Sequence, residues 1–220
     1  MPIFRLMRFA NPGPTARWRW LAAMTLGAAL LLLAARVGVV LVSGNFRAVI
    51  PGRVYRSAQP SRADFALLAE RYRIRTVVNL RGVFRPAADY AAHRRNAEDA
   101  GLVMEDVSGV WRSSLPPPAA VQRLVAVLDA APGPTLLHCS SGSDRTGWAA
   151  GVAVLLFGHG EVAAARGQLS LWYGHWRYGR AHVLDDFFVR YNSWLEATHQ
   201  AHAPERFRQW VNEVYRGPEG

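Results

Sequence analysis

Lysine is absent from this sequence of 220 residues, and cysteine occurs only once, at position 139. All 26 basic residues are therefore arginines, and with 16 acidic residues they give a formal net charge of +10. A single cysteine excludes an intramolecular disulfide framework and any zinc site that needs two or more thiolates. Low-complexity blocks are also missing and half of the residues are hydrophobic, which excludes a wholly disordered chain.

The positive charge is concentrated towards the N-terminus. Residues 1–19 form a basic tail with four arginines and no acidic residue, and residues 20–42 carry a single charge, at Arg36. A helix that crosses a bilayer needs about 20 apolar residues. We therefore predict a transmembrane anchor at 20–42 and one folded domain at 45–220. A cleaved signal peptide, with its apolar region at 30–35, is an alternative.

Arginines flank the predicted span on both sides. Four precede it together with the amino terminus, and four more follow it before the first acidic residue, Asp64. The positive-inside rule then gives only a small bias towards a cytoplasmic N-terminus and an exported domain. Without the five arginines up to Arg36, the domain has 21 basic and 16 acidic residues, so its charge does not predict a nucleic-acid partner.

Short strands alternate with helices in the predicted domain. Apolar and β-branched runs predict strands at 75–80, 102–107 and 135–138. Patterning and end signals predict helices at 61–71, 86–100, 116–131, 146–157, 161–172, 181–199 and 204–215. This order predicts an α/β fold, with parallel strand pairs, helices on both faces of a central sheet and a helical C-terminal extension. Ligands of such sheets bind beyond the carboxyl ends of the strands.

The segment His138-Cys-Ser-Ser-Gly-Ser-Asp-Arg-Thr-Gly147 lies between the third predicted strand and an apolar helix. A tight turn at a helix N-terminus directs backbone N–H groups towards an anion, and the helix dipole adds about half a positive charge. The same field favours a thiolate at Cys139, and Arg145 can hold two phosphate oxygens. Thr146 can offer its hydroxyl to the thiolate, and His138 can orient the loop. The pattern indicates a nucleophile beneath a bound phosphoryl group and a cysteinyl-phosphate intermediate.

The pattern His-Cys-x5-Arg-Thr-Gly at 138–147 resembles the signature of the cysteine-dependent protein tyrosine and dual-specificity phosphatases. The segments Tyr55-Arg-Ser-Ala-Gln-Pro60 and Thr76-Val-Val-Asn-Leu-Arg81 are similar to those of the compact dual-specificity-like members of bacteria, plants and fungi. The resemblance covers about residues 53–175. It implies a dual-specificity-phosphatase-like sheet, Cys139 as nucleophile, Arg145 as phosphate ligand, and no metal or organic cofactor. It also implies that the substrate is bound by Ser140, Ser141, Gly142, Ser143 and Thr146, with His138 in support.

The general acid departs from the family pattern. The family usually places an aspartate in a mobile loop before the cysteine, but the corresponding connection, 108–116, contains no acidic residue. Asp106 lies near a predicted strand end. Asp144 lies inside the loop, next to Arg145, where in some relatives an aspartate is thought to protonate the leaving group. Both remain candidates, and Asp144 is preferred.

Serines at 140, 141 and 143 stand where relatives directed at polyphosphoinositides tend to have lysine, which favours phosphotyrosine or another phosphomonoester. The expected partners are a phosphorylated protein, a small phosphomonoester or a phospholipid, and the membrane through the N-terminal helix. Alternatives are a phosphate-binding module with little turnover, an inositol phosphate or phosphoinositide phosphatase, and a basic binder of nucleic acid or anionic lipid. Asp185 and Asp186 are expected on a solvated helix face, and the remaining histidines at surface or packing positions. The expected location is a bacterial inner membrane, with one span and an exported catalytic domain.

Overall fold

The computed structural model describes residues 14–158 and 161–217, so residues 1–13 of the predicted basic tail lie outside the described part. The chain divides into two compact units between Val39 and Val40. Helix α1 (Pro14–Val42) contains the window Trp18–Ala35, which has a mean hydropathy of 1.6 and no buried residue. By length and composition α1 can cross a membrane, a test that a signal sequence also passes.

The second unit contains a sheet of five strands in the order β1-β2-β5-β3-β4. The strands are β1 (Arg47–Ile50), β2 (Val54–Ser57), β3 (Thr76–Asn79), β4 (Val103–Asp106) and β5 (Thr135–His138). Strands β2, β5, β3 and β4 run parallel, and β1 pairs with β2 in the antiparallel direction. The carboxyl ends of the four parallel strands therefore lie at one edge of the sheet.

Helices connect these strands and form most of the C-terminal region. They are α2 (Arg62–Arg71), α3 (Ala87–Asp99), α4 (Pro118–Ala130), α5 (Asp144–Phe157), α6 (Val162–Arg166), α7 (Val183–Ala197) and α8 (Pro204–Gln209). Short 3₁₀ turns at Leu171–Tyr173 and Arg180–His182 lie between α6 and α7, and α8 continues as a π-helical stretch, Trp210–Val214. Ser61 and Asp64 form a capping box at the start of α2, which agrees with the start of the helix predicted at 61–71.

Both faces of the sheet are buried. Successive residues of a strand point to opposite sides of the sheet, and in the central strands both sets of side chains lie in the core. In β5, Leu136 packs in one hydrophobic cluster with Phe65 of α2, while Leu137 packs in the other with Trp148 of α5. All residues of α5 from Thr146 to Leu156 are buried. The core therefore holds α5, and with it the segment that leads into α5, in a fixed position.

The structure corrects the predicted elements at two places. The sequence pattern predicts three of the five strands, and β1 and β2 are additional. Arg56 interrupts the apolar pattern of β2, yet it is completely buried there. The prediction of a single helix at 161–172 is wrong, because α6 ends at Arg166. The carbonyl of Gln168 accepts a hydrogen bond from Arg56 instead of continuing a helix.

Candidate active site

The predicted phosphate-binding segment follows the central strand β5. Cys139 is the first residue after β5 and is 3% exposed, and Arg145 is the second residue of α5. We call residues 139–145 the phosphate loop. It connects the carboxyl end of a buried strand to the N-terminus of a 14-residue helix, where unpaired N–H groups and the positive end of the helix dipole favour an anion.

Arg56 in β2 binds the carbonyl side of the phosphate loop. Its Nη2 donates to the carbonyl oxygens of Gly142 at 2.8 Å and Ser143 at 3.3 Å, and its Nη1 donates to the carbonyl of Gln168 at 2.9 Å. The guanidinium carbon lies 3.9 Å from the ring centroid of Tyr173. Burial lowers the pKa of Arg56 to about 10, so its guanidinium remains charged at neutral pH.

Two further donors bind the same side of the phosphate loop. The buried Asn45 donates from Nδ2 to the carbonyl of Ser141 at 3.3 Å and to that of Tyr173 at 2.9 Å. The backbone N–H of Gln59 donates to the carbonyl of Ser140 at 3.1 Å. Together with Arg56, these donors satisfy loop carbonyl groups from outside the loop.

The backbone N–H groups of the phosphate loop are left for an anion. Within residues 14–158 and 161–217, the N–H groups of residues 140–143 donate no hydrogen bond to the protein. The N–H and C=O of one peptide unit point in opposite directions, so binding the carbonyl groups on one side presents N–H groups on the other. Gly142 has a φ of +73°, and a Cβ there would lie 2.6 Å from the backbone N of Ala58. The turn therefore requires glycine at this position.

Two arginines are close enough to interact here, Arg145 at the end of the phosphate loop and Arg81 after β3. Arg145 donates from Nη1 to the carbonyl of Leu80, at the end of β3, at 3.3 Å. Arg81 donates to Gln59 Oε1, and its guanidinium carbon lies 3.7 Å from the ring centroid of Phe84. Burial and the nearby charge of Arg145 lower the pKa of Arg81. The two cations therefore repel each other, and a phosphate dianion bound close to both would relieve that repulsion.

A pair of buried histidines lies next to Cys139, the predicted nucleophile. The Nε2 atoms of His138 and His93 are 3.2 Å apart, and His138 Nδ1 lies 3.2 Å from the carbonyl oxygen of Cys139. Because a carbonyl oxygen only accepts, we assign the proton of His138 to Nδ1 and the proton between the rings to His93. Burial and the neighbouring His93 lower the pKa of His138 to about 3. His138 is therefore neutral at physiological pH and holds the backbone of Cys139.

Asp144, the first residue of α5, is paired with a histidine from the C-terminal region. His175 Nδ1 lies 2.8 Å from Asp144 Oδ1, and its Nε2 lies 2.8 Å from Asp185 Oδ2. The side chain of His175 is completely buried, while that of Asp144 is 19% exposed. Burial disfavours the imidazolium, but the hydrogen bonds and charges of the two carboxylates outweigh it and raise the pKa of His175 to about 9. At neutral pH His175 is charged and donates to both carboxylates.

The expectation that Asp185 lies on a solvated helix face is wrong, since this residue is 4% exposed. Its negative charge is compensated inside the protein by the imidazolium of His175 and by Arg177, whose Nε lies 3.3 Å from Asp185 Oδ1. The distance from Arg177 is that of an ion pair, although the contact is not aligned as a hydrogen bond.

Asp106, the other candidate acid, is the last residue of β4, and its carboxylate binds neighbouring elements. Its Oδ1 accepts from Asn79 Nδ2 at 2.7 Å, and its Oδ2 accepts from Arg94 Nη2 at 2.6 Å and from the hydroxyl of Tyr90. These three donors come from β3 and α3. The arrangement joins α3 to the sheet, which is a structural task.

Thr146 is buried, but its Oγ1 has no hydrogen-bond partner in the part of the chain that the structure describes. The expected hydrogen bond from this hydroxyl to the Cys139 sulfur is therefore not formed. Ser140 and Ser141 of the phosphate loop are exposed, whereas Ser143 is buried.

Motif reasoning does not identify three residues of this site, namely Asn45, Arg56 and His175. Arg56 carries a signal in the sequence, since a charged residue inside an otherwise apolar strand needs a buried partner. His175 carries none, because it lies 31 residues from Asp144 along the chain and belongs to no recognisable spacing.

The fold and the phosphate loop have the arrangement expected of a tyrosine phosphatase. A comparison with known families agrees, since residues 38–166 match the tyrosine phosphatase family. This match spans more than half of the sequence, and the chain belongs to that family. The predicted relationship is thereby confirmed, and the family supports a hydrolase that acts on phosphomonoesters.

Solved structures of similar fold are phosphatases from several sources. TpbA of P. aeruginosa has 24% identity and a TM-score of 0.52, covering 72% of this chain and 92% of TpbA. The catalytic core of the PP-IP phosphatase SIW14 of S. cerevisiae has 19% identity and a TM-score of 0.53, covering 70% and 93%. PTPMT1 has 15% identity and a TM-score of 0.50, covering 69% and 99%. These similarities confirm the predicted fold class.

Proposed function

We propose that the chain hydrolyses phosphomonoesters, in the manner of protein tyrosine or dual-specificity phosphatases, through a cysteinyl-phosphate intermediate at Cys139. The observation that carries this proposal is the construction of the phosphate loop. Asn45 and Arg56 bind its carbonyl groups, its N–H groups remain available to an anion, and the buried Cys139 lies at its base.

The reaction proceeds in two steps. In the first, the Cys139 thiolate attacks phosphorus, an S–P bond forms and the P–O bond to the leaving group breaks, while Asp144 donates a proton to the leaving oxygen. Loop N–H groups and Arg145 hold the non-bridging oxygens, which stabilises the charge that develops on them. In the second step, the Asp144 carboxylate takes a proton from water, the water oxygen attacks phosphorus, and the S–P bond breaks to release phosphate and the thiolate.

Asp144 is the better candidate for the acid on geometric grounds. It lies in the phosphate loop beside Arg145, is partly exposed, and has one oxygen bound by His175. Asp106 instead accepts from three donors that anchor α3. A residue that must give up a proton at the substrate has to reach the leaving oxygen, and Asp144 starts from inside the loop.

A phosphotyrosine-type monoester is the proposed substrate class, and inositol phosphates are the second candidate. TpbA has been crystallised in complex with pTyr, while SIW14 is a PP-IP phosphatase. The second candidate is favoured by Arg81 and Arg85, which line a cavity of about 370 Å³ that also includes His93. A second phosphate group would find positive charge there.

Hydrolysis of an aryl phosphate by the full chain in detergent micelles tests the proposal. Wild-type protein is expected to turn over and to accumulate phosphate on Cys139 that rapid acid quench traps, whereas Cys139→Ser should lose turnover and the trapped label. Asp144→Asn should slow turnover and Asp106→Asn should not. Equal inactivity of wild type and Cys139→Ser, with phosphotyrosine peptide still bound by both, would instead identify a phosphate-binding module.

A panel of phosphotyrosine peptide, inositol phosphate, phosphoinositide and nucleotide substrates decides the substrate class. Preference for the peptide supports the first candidate. Preference for inositol phosphates, lost in Arg81→Gln and Arg85→Gln, supports the second. Single-stranded or double-stranded nucleic acid is expected to compete only at low salt, since it offers no terminal phosphomonoester to the loop.

We propose that α1 is an uncleaved, single-pass anchor in a bacterial inner membrane and that the catalytic domain, 45–220, lies on the exported side. The support is the length and hydropathy of α1 and the small bias that the flanking positive charges give under the positive-inside rule. Protein that resists carbonate extraction, keeps its N-terminal sequence and is cut by protease added to spheroplasts would agree. Release of a shortened soluble chain would show a signal peptide.

A further inference from the structure

Residues beyond the family match bind the proposed general acid. The match ends at residue 166, whereas His175 follows the 3₁₀ turn Leu171–Tyr173 and Asp185 lies in α7. Both nitrogens of His175 are within 2.8 Å of a carboxylate oxygen, one of Asp144 and one of Asp185. A buried side chain with two such partners cannot rotate freely, so it holds whatever it binds.

We propose that His175 and Asp185 position the general acid, with the buried imidazolium fixing Asp144 through Oδ1 and leaving Oδ2 to carry the proton for the leaving oxygen. This inference rests on the proposed function, in which Asp144 is the acid. His175 and Asp185 are positioning residues, since they act on the reaction only through Asp144.

The segment that carries His175 is attached to the phosphate loop at two further points. Asn45 Nδ2 donates to the carbonyls of both Gly142 at 3.1 Å and Tyr173 at 2.9 Å, and the Arg56 guanidinium stacks on the Tyr173 ring. The N–H of His175 donates to the carbonyl of Ser170 at 3.0 Å. The imidazole and the phosphate loop are therefore held by the same side chains, which fixes the position of Asp144 relative to Cys139.

The charges around His175 agree with this task. Asp144 faces it from α5 and Asp185 from α7, and Arg177 faces the other oxygen of Asp185. A neutral imidazole donates from only one nitrogen, so donation to both carboxylates requires the imidazolium. Its raised pKa of about 9 keeps that state at neutral pH.

The proton balance closes with His175 unchanged. In the first step the Asp144 Oδ2–H bond breaks and an O–H bond forms on the leaving oxygen, which leaves a carboxylate beside the imidazolium. The positive charge stabilises this carboxylate, and because it favours the carboxylate before the step as well, the phosphate dianion bound beside Asp144 has to favour the protonated carboxyl group from which the step starts. In the second step the water proton returns to Asp144, while both ring protons stay on His175 throughout.

Leaving groups of different basicity separate a positioning role from a structural one. The test measures kcat/KM, which reports the steps up to P–O cleavage, for the full chain in detergent micelles. The substrates are phenyl phosphate, whose leaving group needs a proton, and 2,4-dinitrophenyl phosphate, whose leaving group departs as an anion. Asp144→Asn should lower kcat/KM on phenyl phosphate by about 10²–10⁴-fold and change that on the second substrate little. His175→Gln should lower kcat/KM on phenyl phosphate by about 10-fold, a part of the same contribution, and also spare the second substrate.

The matched control is His182→Gln, the same substitution at an exposed histidine of the same region, which should change neither rate. Asp185→Asn retains the imidazole and should act in the same direction as His175→Gln, so the test survives if that variant does not fold. In wild-type protein, the ring ¹⁵N signals of His175 should titrate near pH 9, and in Asp144→Asn at lower pH, because one of two neighbouring carboxylates is gone.

The outcomes distinguish the inference from the function on which it rests. Turnover by Cys139→Ser would overturn the function. An unchanged rate of Asp144→Asn on phenyl phosphate would place the acid elsewhere and overturn the inference with it. If Asp144→Asn shows the expected selectivity but His175→Gln and Asp185→Asn slow both substrates equally, the two residues are structural, and the inference fails while the function stands.

Discussion

Gly142 offers the sharpest test of how the phosphate loop is built, and Gly142→Ala is the perturbation. A Cβ at this position would lie 2.6 Å from the backbone N of Ala58 and 2.7 Å from the carbonyl oxygen of Ser57. These atoms belong to the end of β2 and the residue after it, so they cannot rotate aside like the tip of a side chain. The backbone of Gly142 also has a φ of +73°, which L-residues rarely adopt.

Two contributions make up the expected cost, and a second glycine separates them. Gly52 also has a φ of +73°, but a Cβ there meets nothing within 4 Å. At Gly52 the left-handed backbone should cost about 1–2 kcal/mol, less the roughly 0.4–1 kcal/mol by which alanine stiffens the unfolded chain. At Gly142 overpacking adds about 1–3 kcal/mol to the same strain. We therefore expect Gly142→Ala to lose about 2–4 kcal/mol and Gly52→Ala about 1 kcal/mol.

The assay is thermal unfolding of the full chain in detergent micelles, followed by near-ultraviolet circular dichroism of its aromatic side chains, together with kcat/KM on an aryl phosphate. Gly142→Ala should unfold at the lower temperature and lose phosphatase activity, because shifting the loop moves its N–H groups away from phosphate. Gly52→Ala should keep its activity. Equal stability of the two variants, with activity retained at position 142, would refute the close packing of the loop on β2.

Four further predictions concern buried or half-buried polar groups. Arg56→Lys keeps the charge but loses the forked contact, so inorganic phosphate should inhibit its activity less readily than that of wild type. Equal inhibition of the two proteins would show that the loop is held without Arg56. Unfolding free energy should fall as pH drops from about 6.5 towards 3, by about 1.4 kcal/mol per unit, because unfolded His138 binds a proton that the folded state excludes, and His138→Gln should flatten this slope. The unfolding free energy should also fall as pH rises from about 6.5 to 9, because folded His175 keeps a proton that the unfolded chain releases. An unfolding free energy that stays constant over this range would contradict this. Asp106→Asn should lower the melting temperature while kcat stays near wild type, and a lost kcat would return this residue to the mechanism.

The elements that local pattern determines were predictable. The predicted strand at 135–138 coincides with β5, and those at 75–80 and 102–107 contain β3 and β4. Their apolar, β-branched runs are buried on both faces, which is the pattern of parallel strands. The position of the phosphate loop followed directly, since it comes after β5 and before an apolar helix.

The contacts that complete the site were not predictable in the same way. Strand β2 contains Arg56, whose burial depends on carbonyl groups of the phosphate loop, 86 and 87 residues further along the chain. The burial of Asp185 depends likewise on a histidine that no helical periodicity links to it. Such pairs become visible only when the fold brings distant segments together, because the local sequence names no partner for either residue.

The attachment of the phosphate loop by Asn45 and Tyr173 sets limits on how far the chain can be shortened. Only Ser43 and Gly44 separate the end of α1 from Asn45 along the sequence. A truncation that removes the helix therefore has to end within these two residues if Asn45 is to be kept. A chain that stops at residue 166 would keep the whole family match, with the proposed nucleophile, and lose Tyr173 and the histidine that binds Asp144. A minimal phosphatase made from this protein has to start within a few residues of Val42 and continue at least through α7.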